Sequence, residues 1–270
     1  MVNLPQSAFE PQKRHRAFFS ARTKLGRAGS MIDELEAAVE EYQRETPSQL
    51  IVENLSVRMC RIILRTEQTP IAFPIFLGEI LHNLRGALDH LASSVVEHRK
   101  QEPNKRINFP VHETQRQFID MRTRAKEPHQ LWQVAPDVWQ LIEDTVQPWK
   151  SNEAGGLIWE ISKLNNLDKH RLLLIIPFLA EAGFDAIGSG FSMRRNLIIN
   201  RGWGDFVFYE GPPVHLTKTE VANTLMLQEE SVMPHTPLIS FLKEAYNQIF
   251  GLIYAIETHM FGGHLPPKGT

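Results

Sequence analysis

A chain of 270 residues with 42% hydrophobic and 22% charged side chains can bury one large core or two small ones, which excludes disorder and collagen-like repeats. Its 29 Lys and Arg against 31 Asp and Glu leave a formal net charge of −2, so bulk charge recruits neither nucleic acid nor an anionic membrane, and any such contact is a local patch. One cysteine, Cys60, excludes an internal disulfide and every multi-cysteine zinc motif, and points to a reducing, cytoplasmic compartment.

The opening MVNLPQSAFEPQKRHRAFF lacks the continuous apolar stretch of a secretory signal, and the longest apolar run, Leu172 to Ala180, contains Pro177, so no membrane span is expected. Residues 13 to 45 have helix-forming composition, with Gly26 and Gly29 as points of bending and Pro47 as a stop. From Gln49 to Thr66 the β-branched, alternating pattern predicts two short strands. Pro70 and Pro74 punctuate the chain before a long helix over Ile75 to Arg99. Its Leu77, Leu81, Leu84, Leu88, Leu91 and Val95 form the stripe of a helix packed in a bundle.

Shorter helices follow over Gln115 to Lys126 and Pro136 to Val146, and Gly155 and Gly156 precede another that starts with Leu157, Ile161 and Leu164. Between Leu172 and Val214, β-like runs separated by Gly-, Asn- and Pro-rich turns predict an antiparallel meander, and a helix from Pro237 to Met260 closes the chain. The expected fold is α+β, a helical bundle with an antiparallel sheet, in a single domain spanning residues 1 to 270. Its helical core is 75 to 171 and 237 to 260, and its β-rich portion is 49 to 66 and 172 to 214. Each β portion is too small to stand alone, so a shared sheet is expected.

Functional side chains concentrate in EILHNLRGALDH, which holds Glu79, His82, Asn83, Arg85, Asp89 and His90. At about 100° per residue His82, Arg85 and Asp89 share one flank, while Glu79, Asn83, Gly86 and His90 lie opposite the leucine stripe. Gly86 costs a helix about 1 kcal/mol relative to alanine, which points to a close approach by another helix or a ligand. Asp168, Lys169, His170 and Arg171 form a second cluster.

LHNLRGALDHLA followed by NNLDKHR resembles a group of uncharacterised bacterial proteins that share both sequences. Arg85 and His90, with four residues between them, also resemble the motif of the HEPN superfamily, helical-bundle proteins that include metal-independent ribonucleases and toxins. Arg106 with His112 and Arg124 with His129 have comparable spacing but adjoin Pro110 and Pro128, so only Arg85 and His90 lie in an uninterrupted helix. The resemblance implies that Arg85 binds the scissile phosphate and His90 exchanges protons with the 2′-hydroxyl or the leaving oxygen, giving a 2′,3′-cyclic phosphate. Supporting roles fall to His82, Asn83, Asp89, Asp168, His170 and Arg171. It further implies a homodimer acting on RNA, in stress response or phage defence, with no cofactor.

A second reading needs no substrate. Arg85 and Asp89 pair with each other, or with Asp168 and Arg171, in an ionic network of a structural or protein-interaction protein. A third reading, a metal site, has half its ligands: Glu79 and His82 form one Glu-x-x-His, but Glu257 and His259 have the wrong spacing and Pro128 interrupts Glu127 to His129. A mononuclear set of His82, Asp89 and His170 is not brought together by sequence alone, so no metal is expected. Basic stretches at Lys13, Arg14, Arg16, Arg22, Lys24 and Arg27, and at Arg116, Arg122, Arg124 and Lys126, read first as solvated surface. RNA and a second copy of the chain are the expected partners, while DNA and membrane are not. The five tryptophans are expected to pack between helices.

Overall fold

A computed structural model describes residues 18–45, 48–99, 101–103, 107–123, 129–150, 156–170, 178–188, 191–200, 204–229 and 233–262. Among the described residues, seven helices and two small antiparallel sheets make an α+β fold. In chain order the elements are α1 (Phe19–Glu45), β1 (Gln49–Ser56), β2 (Met59–Thr66), α2 (Ala72–His98), α3 (Gln115–Thr123), α4 (Gln130–Val134), α5 (Pro136–Thr145) and α6 (Gly156–His170). They continue with β3 (Phe178–Gly188), β4 (Phe191–Asn200), β5 (Gly204–Gly211), β6 (Val214–Glu229), β7 (Met233–Pro237) and α7 (Leu238–Phe261). No helix among the described residues is long and apolar enough to cross a membrane.

Two compact units divide the chain. One comprises Met1–Met31, Gly78–Arg171 and Leu242–Thr270, the other Ile32–Leu77 and Leu172–Phe241, so α1, α2 and α7 contribute residues to both.

The first unit is helical. The leucine stripe of α2 is its buried face: Leu81, Leu84, Leu88 and Leu91 are fully buried, as the four-and-three spacing requires. α6 buries Ile158, Ile161 and Leu164, and α7 buries Leu242, Ala245 and Ile249. α2 starts at Ala72, three residues before the expected start, because Pro74 falls in the first turn, where a missing N–H costs nothing. The expected packing role holds for Trp139 and Trp149, whose rings lie 4.5 Å and 5.5 Å from that of Phe118, and Trp132 stands edge-on to Trp139 at 6.1 Å. Trp203 lies outside the described residues.

The second unit holds both sheets. β1 and β2, the two expected strands, pair antiparallel from Gln49 opposite Arg65 to Ser56 opposite Met59, with a shift of register between Asn54 and Ser56. The expected meander is not found: after β4 the chain leaves its neighbours, and β5 pairs antiparallel with β2, giving the order β1-β2-β5. The free edge of the apolar β2 run is thereby paired, and a bidentate contact from Arg65 to Asp205, 2.7 Å for each bond, pins the register. Distant β segments therefore do share a sheet.

The other sheet has the order β4-β3-β6-β7 and extends to Pro237, well past the expected end at Val214. β6 pairs with β3 from Val214 to Leu225 and with β7 from Met226 to Glu229, and its Lys218 and Glu220 side chains are exposed. The two sheets meet in one apolar cluster. Cys60, Ile62 and Leu64 of β2 pack with Ala180, Ala182, Phe184 and Ala186 of β3 and Val214 of β6.

Candidate functional site

Within the helical unit, α2 and α6 are bridged by an irregular segment, residues 107–111. Arg85 of α2 lies under it. The guanidinium donates to Ser162 Oγ of α6 at 2.9 Å, to the Phe109 carbonyl at 2.9 Å and to Asp89 Oδ1 at 2.8 Å. The same Asp89 oxygen accepts the Phe109 N–H at 2.9 Å. Burial pulls the Arg85 pKa below its ordinary value, opposed by the attraction of Asp89. Arg85 thus spends its donors on three protein partners, one of which carries the compensating charge.

The segment is held from its other side by His129. This histidine caps α4: its Nδ1 accepts the Leu131 N–H at 3.2 Å, which leaves Nε2–H to donate to the Asn108 carbonyl at 3.1 Å. One tautomer is thereby selected. Burial, opposed by the Asn108 bond and reinforced by nearby His112, lowers its pKa to about 4. Ring contact with Trp139 at 5.2 Å completes its surroundings.

Arg85, Asp89 and this strap form part of the wall of an open cleft of about 540 Å³. α6 presents Ser162, Lys163, Asn165, Asn166 and Lys169 to it, and the strap and α3 present Asn108, His112, Glu113 and Gln117. The volume falls within the range of small-molecule sites. Its electrostatics are nearly balanced. Arg85 is matched by Asp89, and Lys163 Nζ lies 3.3 Å from Glu113 Oε1. Lys169 is exposed and has no carboxylate at ion-pair distance among the described residues.

Gln117 is occupied by the start of α3, accepting the Glu113 and Thr114 N–H groups while Thr114 Oγ1 accepts the Gln117 N–H, a capping box. Trp159 also borders the cleft, but Lys150 and Lys163 lie 5.0 Å and 6.0 Å from its ring centre, and the residue is 4% exposed. It offers no free face for stacking a base.

The other sequence-selected residues fall elsewhere. His90 is exposed and not among the cleft residues, as expected for positions that diverge by about 140° on a helix, so one chain does not bring it to Arg85. His82 is exposed and also outside the cleft. Asn83 donates to the Glu79 carbonyl at 2.9 Å and receives Lys24 Nζ at 3.4 Å. The close approach expected at Gly86 comes from α1: the Lys24 side-chain stem lies 3.7 Å from where a Cβ would stand.

Asp168 lies against Gly78, so close that a Cβ there would sit 2.6 Å from Oδ2, and desolvation raises its pKa. His170 is the last residue of α6, and Arg171 lies outside the described residues. Part of each basic stretch is used inside the fold: Arg22 pairs with Glu257, and Arg122 pairs with Glu143 and covers Trp132 at 4.8 Å. Lys13, Arg14, Arg16, Arg124 and Lys126 lie outside the described residues.

No group of three or more His, Cys, Asp or Glu among the described residues is placed to hold a metal ion. The chain matches no protein-family model, no curated protein and no solved structure.

Asn108, His112, Glu113, Lys163 and Lys169 were not selected as site residues from sequence. One signal was readable. Ser162, Asn165, Asn166 and Lys169 are spaced i, i+3, i+4, i+7, a polar helix face that emerges once NNLDKH is taken as helix to His170. The strap has no periodicity and gave no signal.

Proposed function

We propose that this protein binds RNA, taking a ribonucleotide unit into the polar cleft, and that Arg85 builds the cleft rather than acting on the substrate. The supporting observation is the convergence of the two selected segments: Arg85 and Asp89 from one, and Asn165, Asn166 and Lys169 from the other, around one open polar space. Lys169, which has no carboxylate at ion-pair distance among the described residues, supplies the positive charge a phosphate needs, and the exposed Asn166 amide supplies a donor and an acceptor for ribose hydroxyls and base edges. An RNA contact in a chain of net charge −2 has to be local in this way.

Fluorescence anisotropy with short single-stranded RNAs in EDTA tests the proposal. Lys169→Ala and Asn166→Ala are expected to weaken binding about tenfold each, at unchanged melting temperature, as lost charged or amide contacts do. Absence of binding across a panel of RNA sequences overturns it.

Catalysis is a separate question put to the same samples. Because Arg85 and His90 of one chain point apart, a ribonuclease of the HEPN kind would draw Arg85 from one copy and His90 from another. Cyclic phosphate ends that vanish in His90→Ala would make the protein such an enzyme. Intact RNA in every reaction would make it a binding protein.

A further inference from the structure

Lys163 and Glu113 form an ion pair inside a cleft proposed to receive an anion, and both side chains are well exposed, 39% and 48%. An exposed pair of this kind holds weakly, since water screens it and two long side chains give up freedom to keep it. Lys163 has a second anchor: its ammonium lies 6.0 Å from the Trp159 ring centre, with Lys150 also over that ring. Glu113 lacks such an anchor. Its backbone N–H is held by Gln117, but its carboxylate faces the cleft.

We infer that the Glu113 carboxylate is a built-in stand-in for the ligand's anionic group, occupying Lys163 until a phosphate displaces it. The inference rests on the RNA-binding reading of the cleft and adds regulation to it. On binding, the phosphate takes Lys163, which borders the cleft. Glu113 turns to solvent, and Lys163 stays in place on the Trp159 ring. The net effect is a site that discriminates against weak anions, because every anion competes with a carboxylate already present at high effective concentration. Uncharged ligands gain nothing from the exchange.

Glu113→Gln removes the competitor while keeping the side chain's size. The probes are AMP, adenosine and a short single-stranded RNA, titrated into wild type and Glu113→Gln at low and at high salt. Expected for Glu113→Gln is about two- to fivefold tighter binding of AMP and RNA at low salt, the scale of one exposed ion pair, shrinking at high salt. Adenosine affinity should not change. Lys163→Gln should lose the gain when combined with Glu113→Gln.

Wild-type binding that Glu113→Gln leaves equal or weakens overturns the inference and leaves the RNA-binding reading standing. An equal gain for adenosine also overturns it, since the effect would not run through phosphate. No binding of any probe by either protein removes the RNA-binding reading and the inference with it. Both exchanged side chains are exposed, so folding is expected to be unchanged, which a thermal melt of each variant checks.

Discussion

Asp89 accepts the backbone N–H of Phe109 at 2.9 Å, while its helix neighbour Arg85 donates to the carbonyl of that same residue. A helical ion pair therefore clamps both polar groups of one peptide segment. Arg85→Ala leaves Asp89, Ser162 and the Phe109 carbonyl short of a donor and is expected to cost about 3 kcal/mol, a fall in Tm of roughly 6–12 °C. His90→Ala, at an exposed position, should stay within about 0.5 kcal/mol of wild type. Replacing both Arg85 and Asp89 by apolar residues should not restore stability, as it would for an isolated ion pair, because the Phe109 N–H and C=O lose their partners. Urea unfolding of the three variants measures this.

Gly78 tests a packing relation. Alanine in a helix gains about 1 kcal/mol over glycine, but at this position the new Cβ meets the Asp168 carboxylate, whose Oδ2 lies 2.6 Å away. Gly78→Ala is therefore expected to be neutral or destabilising in the wild type and stabilising by about 1 kcal/mol in an Asp168→Ala background. Equal effects in the two backgrounds would show that the two residues do not interact.

His129 makes stability depend on pH. Its folded-state pKa is depressed to about 4, below the ordinary value of 6.5, so between those limits the unfolded chain binds more protons than the folded one. Stability then rises with pH across that window. The contribution of neutral His129 is present above about pH 6.5 and is lost progressively as pH falls toward 4, in total about 3 kcal/mol. Unfolding free energies of wild type and His129→Gln, measured from pH 4 to pH 7.5, should differ in slope by up to one proton. Taking that difference cancels the carboxylates that titrate in both proteins.

Salt dependence reports how many phosphates the cleft neutralises. For single-stranded RNA each neutralised phosphate contributes about −0.7 to the slope of log affinity against log salt. Lys169→Ala should make that slope shallower by about this amount, whereas Asn166→Ala should weaken binding without changing it. An unchanged slope in Lys169→Ala would remove this lysine from phosphate contact.

Much of the fold is written in local pattern. The leucines of α2, the paired strands of β1 and β2 and the closing helix α7 all follow from periodicity, because burial of one face is a property that neighbouring residues announce together. The transfer of β5 to β2 carries no such mark. It depends on which edge was left unpaired by a segment some 140 residues earlier, as the Arg65 to Asp205 contact measures.

The candidate site divides in the same way. Sequence singled out the two segments that meet at the cleft, since charged and amide side chains crowd an otherwise apolar helix only with cause. Within the second segment Asn165, Asn166 and Lys169 border the cleft, whereas Asp168 turns to Gly78. Helical phase was sufficient to separate them.

Composition and periodicity alone determined that this is an α+β chain without strong net charge, with a bundle helix carrying Arg85 and His90. Only the tertiary structure decided that Arg85 meets Ser162, 77 residues away, and Phe109, 24 residues away, while His90 meets neither. The reason is physical: a helix sets the angle between its own side chains, but the partner of a buried cation is whichever carboxylate or carbonyl the packing of other elements delivers within hydrogen-bond reach.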